Sequence, residues 1–161
     1  MIVPMSGAYA KQISGWTYDS EYAVYSFSQT EETLAELLGG AYYAYLDGHG
    51  TLAGFLCFGQ AARIPTAEKY PYAPDALDMG LGLKPELCGQ GLGGALVQAG
   101  IAFAEKTFAP ARLRLSVAVS NLRAVRVYEE TGFRYEASVT HKHTRKLFYI
   151  MLRPCGPGSV Q

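Results

Sequence analysis

The sequence has no surplus of either charge: Lys plus Arg and Asp plus Glu both total 14, for a formal net charge of zero. Binding along a phosphate backbone needs a basic excess, so a nucleic-acid partner is not expected. Cysteine is scarce: Cys57, Cys88 and Cys155 are an odd number with no paired spacing, which argues against a disulfide framework and against zinc. No apolar run reaches membrane-spanning length, and Met1-Ile2-Val3-Pro4 has no basic segment before an apolar one. The expectation is a cytoplasmic chain in a reducing compartment, with no membrane partner. Internal repeats and low-complexity stretches are also missing. With 161 residues, 49% of them apolar, the chain fits one domain, and a domain of this size buries about 70% of its unfolded surface. That domain is expected over 1–153, with a tail over 154–161.

What is present centres on Asp78 to Ala104, DMGLGLKPELCGQGLGGALVQAGIAFA. Met79, Leu81 and Leu83 alternate with Gly80 and Gly82, which predicts a strand with one face against another backbone or a ligand. Pro85 ends it, having no N–H to donate. Gly89, Gly91, Gly93 and Gly94 leave a nearly bare turn, and Leu92, Leu96, Ala99 and Phe103 then fall at helical spacing. A helix start with exposed N–H groups and no Cβ atoms in the way suits an anion, most naturally phosphate. Two nucleotide readings fail on context. The GxGxxG formed by Gly89 to Gly94 is separated from its strand by Pro85-Glu86-Leu87-Cys88, and no acid follows in Arg112-Leu113-Arg114-Leu115-Ser116. A P-loop would need Gly-Lys-Ser/Thr, which is absent.

Cys88-Gly89-Gln90-Gly91-Leu92-Gly93 resembles the pyrophosphate loop of the GNAT superfamily of acyl-CoA-dependent N-acyltransferases, Gln/Arg-x-x-Gly-x-Gly/Ala, except at its first residue. Asn121 to Phe133, NLRAVRVYEETGF, resembles the same family's N-x-x-A-x-x-x-Y-x-x-x-G-F signature. The resemblance covers roughly residues 40 to 153. It implies an α+β, or α/β, fold: a mixed, mostly antiparallel sheet of six to seven strands, splayed in the middle and flanked by about four helices.

Along the chain, residues 2–5 predict a short strand, and Ser6 an N-cap for a helix over Ala8 to Ser14 that stops at Gly15. Trp16, Tyr18, Tyr22, Tyr25 and Phe27 form either a core lid or a substrate-pocket wall. Thr30 caps a second helix with Leu34, Leu37 and Leu38 on its buried face. Ala41–Leu46 and Thr51–Phe58 predict a hairpin around a turn that carries His49. The irregular stretch from Gln60 to Pro74 is either an acceptor-selecting loop or plain surface. Arg112–Val119 predicts a strand with one apolar face. Asn121 precedes a helix that runs through Glu130, with Gly132 as its stop. Arg134–Thr140 and Lys146–Arg153 predict a last antiparallel pair. His141 and His143 at their junction have no carboxylate or cysteine beside them, so no metal is expected.

The resemblance further implies that the strands carrying Leu83 and Val117 part at their C-terminal ends and that pantetheine lies between them. Acetyl-CoA is then the cosubstrate. Its amides would meet backbone around Leu81, Gly82 and Leu83, and its diphosphate the N–H groups of Cys88, Gly89, Gln90, Gly91, Leu92, Gly93 and Gly94. A backbone N–H near Leu83 would polarise the thioester carbonyl. Asn121 and Tyr128 are two helical turns apart and share a face. Asn121 would contact pantetheine, while Tyr128 would protonate the departing thiolate. Asp78 is the first candidate for general base, Asp75 the second, and a water relay the third. The acceptor is a small-molecule or peptide amine, and the reading admits a homodimer. The alternative is a non-catalytic acyl-CoA-binding sensor or regulatory module.

Overall fold

The computed structural model describes residues 1–18 and 27–156. Tyr22, Tyr25 and the tail from 157 lie outside the described residues. The elements in order are β1 (Ile2–Pro4), α1 (Gly7–Ser14), α2 (Glu31–Leu37), β2 (Tyr42–Leu46), β3 (Leu52–Phe58), β4 (Ala76–Leu83), α3 (Gly93–Phe108), β5 (Arg112–Ala118), α4 (Leu122–Glu130), β6 (Arg134–Thr140) and β7 (Leu147–Pro154). The seven strands form one open sheet in the order β1-β2-β3-β4-β5-β7-β6. Neighbouring strands run antiparallel everywhere except β4 and β5, which are parallel.

Local chemistry sets most boundaries. The Ser6 and Thr30 side chains accept from the Tyr9 and Thr33 N–H groups, as N-caps should. Asp47 Oδ1 accepts from His49 and Thr51 N–H and so ties the β2–β3 turn. α3 ends at Ala109 in the left-handed region, φ 45°, just before Pro110. After α4, Gly132 at φ 101° turns the chain so that Phe133 enters the core fully buried.

Helices cover both sheet faces, and each face has its own cluster. Leu56, Met79, Leu113, Leu115 and Val117 pack against Val97 and Ile101 of α3, with Tyr128 and Phe133 closing the end. On the other face Phe55, Cys57 and Ala44 pack against Ala10 and Ile13 of α1, with Trp16 and Leu37. Trp16 is therefore core. Leu38, expected on the buried face of α2, is 49% exposed, because the helix ends one residue earlier; Leu37 is buried and Leu34 packs against the same cluster.

β5 also departs from the single apolar face expected of it. Its other face carries Arg114 and Ala118, both buried. Ala118 joins Val139, Phe148 and Ile150 in a third cluster, over which Ile64 and Tyr70 pack. The irregular stretch after β3 thus roofs this end of the sheet. Arg114 is only 1% exposed because Asp78, 2% exposed, sits opposite it on β4. Nε of Arg114 donates to Asp78 Oδ1 at 2.7 Å and Nη2 to Oδ2 at 2.8 Å. Arg63 Nε also donates to Oδ2, at 2.8 Å.

β4 and β5 pair only over Ala76–Asp78 and Arg112–Arg114, then diverge. β4 continues against β3 to Leu83, and β5 against β7 to Ala118. The buried ion pair stands at the last shared rung. Removing one partner of such a pair leaves an uncompensated charge in the interior, at about 3–5 kcal/mol. Asp78→Leu, which strips Arg114 of its carboxylate, should destabilise by that amount in urea unfolding, and Arg114→Met by less, because Arg63 still bonds Asp78. The double variant should cost clearly less than the two singles together. Additive costs would show that the two groups act independently.

Candidate active site

Beyond the last shared rung, a cleft of about 840 Å³ opens between β4 and β5. Its edge on β4 is set by hydrogen-bond alternation. Lys84 N–H donates to Ala53 O at 2.8 Å. In an antiparallel ladder the bonded residues alternate, so Gly82 and Gly80 also turn their backbone groups toward β3. Leu81 and Leu83 turn theirs toward the opening. The face of the strand glycines, expected against another backbone or a ligand, instead meets side chains of β3. A Cβ at Gly82 would lie 2.6 Å from the Phe55 ring, and one at Gly80 would lie 2.8 Å from Cys57 Sγ.

After β4, Pro85–Leu87 form one 3-10 turn, and Cys88 leads into the glycines. Gly89 and Gly91 both stand at φ 77°, where side chains with a Cβ are strained. α3 starts after Leu92 with no side-chain cap, so its first N–H groups stay available to a ligand. Nothing lies within 4 Å of where a Cβ would stand on Gly91, Gly93 or Gly94. At Gly89 the same point is 2.5 Å from Arg123 Nη1, which puts a guanidinium against the turn. An open cradle of N–H donors beside a cation suits a diphosphate. Gln90 takes no side-chain part: its Nε2 donates to Glu86 O at 2.8 Å. Cys88 lines the cleft, but burial pushes its thiol up against the pull of Arg123, which is wrong for a nucleophile.

Asn121 and Tyr128 both line the cleft from α4, two turns apart. Asn121 is also the N-cap, its Oδ1 accepting from Ala124 N–H at 3.3 Å. Tyr128 is buried, with its ring edge-on to Phe133 at 5.9 Å.

The carboxylates expected as bases lie elsewhere. Asp78 is absent from the cleft wall, and its oxygens receive three N–H bonds from two guanidiniums. Asp75 is likewise off the wall, bound to Arg112 at 2.8 Å, and that bond holds its carboxyl below the usual range. The alternation that placed Asp78 on the organising strand was right. Its partners were hidden because they come from Arg63 and Arg114, distant in sequence.

Tyr18, Phe27, Phe55, Arg63, His141 and Phe148 also line the cleft, on the side away from α3 and α4. Tyr18 O–H donates to Leu83 O at 2.7 Å, and burial, with Cys88 and Glu86 adding, raises its pKa so that it stays a neutral donor. Arg63, Arg123 and His141 were not singled out for these positions by the sequence. Arg123 had a legible signal, a cation in the first turn of the signature helix. Among the described residues no group of three His, Cys, Asp or Glu is placed to hold a metal.

No curated protein matches this sequence. A family model described as the acetyltransferase (GNAT) family matches residues 10–133. Among solved structures, a variant of the Vibrio cholerae spermidine N-acetyltransferase SpeG superposes with a TM-score of 0.69 at 18% identity, covering 96% of this chain and 94% of that one. A GNAT-family acetyltransferase from Bacillus anthracis gives 0.71 at 17% identity, covering 95% and 93%. A protein provisionally named a phosphinothricin N-acetyltransferase gives 0.69 at 16%, covering 98% and 99%. The open seven-stranded sheet parting at β4 and β5 is the fold these structures share with it, and the chain belongs to the GNAT acetyltransferase family.

Proposed function

We propose that this protein transfers an acetyl group from acetyl-CoA to a primary amine by direct attack in a ternary complex. The observation that carries the reading is one cleft joining three features: the uncapped glycine turn, the freed backbone of Leu81 and Leu83, and Tyr128. Acetyl-CoA, when bound, supplies a thioester, which a neutral and well-placed amine attacks without a covalent enzyme intermediate.

The N–H groups from Gly89 to Gly94 hold the diphosphate, with Arg123 adding charge. Leu81 and Leu83 offer backbone groups to the pantetheine amides. The Leu83 carbonyl is already taken by Tyr18, so at that residue the N–H is left to polarise the thioester carbonyl. Asn121 contacts the pantetheine arm at the start of α4. Tyr128 donates its phenolic proton to the sulfur as the C–S bond breaks, and recovers one from solvent. Asp78 is a positioning residue in this scheme, holding β4 to β5 where the cleft begins. The amine loses its proton through water in the cleft, the third of the routes open at the outset.

Calorimetry should show CoA and acetyl-CoA binding, with NAD and ATP far weaker; tight NAD binding without CoA binding would overturn the reading. Gly91→Val combines backbone strain at φ 77° with a side chain in the open space, and should abolish CoA binding. A folded variant that binds normally would remove the turn from the site.

Tyr128→Phe keeps the ring and loses one hydroxyl. Stability should fall by no more than about 0.5–1.5 kcal/mol, acetyl-CoA affinity should hold, and turnover should drop about 10²–10⁴-fold. Thiol release against an amine panel measures this. A lower melting temperature with unchanged turnover per folded molecule would make Tyr128 a packing residue only. Tight CoA binding with no turnover on any amine would favour the non-catalytic module.

A further inference from the structure

We infer that the acceptor amine carries a carboxylate and an apolar body, an amino-acid-like molecule whose carboxylate is bound by Arg63 and His141. The inference rests on the acetyl-transfer reading above and concerns the acceptor side of the same cleft.

Charge is the first argument. Asp78 is shared by Arg114 and Arg63, so two guanidiniums meet one carboxylate and a positive charge is left over. Arg114 is bonded along both edges, to Asp78 and to Ala73 O. Arg63 spends its Nε on Asp78 and lines the cleft, and no bond among the described residues takes its two terminal nitrogens. Its plane is fixed. The Tyr72 ring lies against both guanidiniums, 4.9 Å from Arg63 Cζ and 5.0 Å from Arg114 Cζ, and Tyr72 O–H is anchored on Ile64 O at 2.9 Å. A pre-oriented guanidinium with free donors is a carboxylate receptor.

His141 supplies the second donor. Its Nδ1 accepts from the N–H groups of His143 and Thr144, both at 3.2 Å. That assigns the proton of the neutral ring to Nε2, so the ring can donate there but cannot act as a base there. Burial, and then the neighbouring His143, lower its pKa and favour this neutral form. The bridge between Thr66 and His141, and the bond from Lys142 N–H to Pro65 O, hold it beside the segment that carries Arg63.

The rest of this wall is largely apolar, with Phe27, Tyr42, Phe55 and Phe148 its largest side chains. Described carboxylates around it are engaged: Glu36 by the Tyr42 hydroxyl at 3.0 Å, Glu68 by Thr140 N–H and O–H, and Asp78 by the guanidiniums. Glu130, the one described carboxylate on the cleft lining, is exposed at the far end of α4. The charge of Arg63 disfavours a polycation such as spermidine at this edge.

The test uses the full chain saturated with CoA and matched pairs of product analogues: the N-acetyl derivatives of phenylalanine, leucine and methionine, each against its decarboxylated counterpart. Calorimetry should give at least tenfold tighter binding for the carboxylate in one or more pairs. Arg63→Gln should remove that preference, and Arg63→Lys should restore part of it. Melting temperatures check that each variant is folded. No preference in any pair, or tighter binding of the decarboxylated members, overturns the acceptor inference while CoA binding leaves the acetyl-transfer reading standing. Failure of the wild-type protein to bind CoA overturns both. In turnover, spermidine outpacing the amino acids would also overturn the acceptor inference.

Discussion

The bidentate pair between Asp78 and Arg114 is the constraint on which the rest depends. A parallel pair of strands is held by evenly spaced bonds that give no natural stopping point. Here the ladder lasts three residues on each strand and ends where both charges are sealed from water. Beyond it β3 and β7 pull their partners apart, and every backbone group freed on the inner edges needs a new partner. A cleft lined by unspent backbone groups is thus a consequence of where the parallel pairing stops. The pair fixes that point at the cost of burying two charges, which only mutual neutralisation makes tolerable.

The two sides of the opening have different chemistry because different elements supply them. On the side of α3 and α4 the wall is backbone, small residues and Arg123, an environment for phosphate and a flexible chain. On the other side the wall is largely apolar and rich in aromatics, with Arg63 and His141 delivered by the irregular stretch after β3 and the β6–β7 turn. A ligand crossing the sheet plane therefore passes from an anion cradle to an apolar chamber with its own cationic edge. Tyr18 stands at the crossing, bonded to Leu83.

Much of this was legible in the sequence, and the reasons differ by element. The glycine turn was visible because glycine best fits the two positive-φ sites, Gly89 and Gly91, beside an open helix start. α4 was visible because its cap, its aromatic and its terminal glycine fall at fixed helical offsets. Strand order was not legible. β7 lies between β5 and β6, and nothing local to Leu147–Pro154 records that choice. Arg114 read as the polar side of a half-exposed strand because the Tyr70–Tyr72 stretch that covers it comes from a segment without periodicity. Asp78 read as a free acid for the same reason. A long-range ion pair leaves no spacing to detect, whereas a helix face does.

The central claim is that acetyl-CoA occupies the gap between β4 and β5 and takes the backbone donors exposed there. Hydrogen exchange of the amides from Leu81 to Gly94, with and without CoA, tests it directly. The account predicts slowed exchange at Leu81, Leu83 and Gly89 to Gly94 on adding CoA, with Gly80 and Gly82, already bonded to β3, unchanged. Exchange at the glycine turn and at Leu83 that is indifferent to saturating CoA would contradict it.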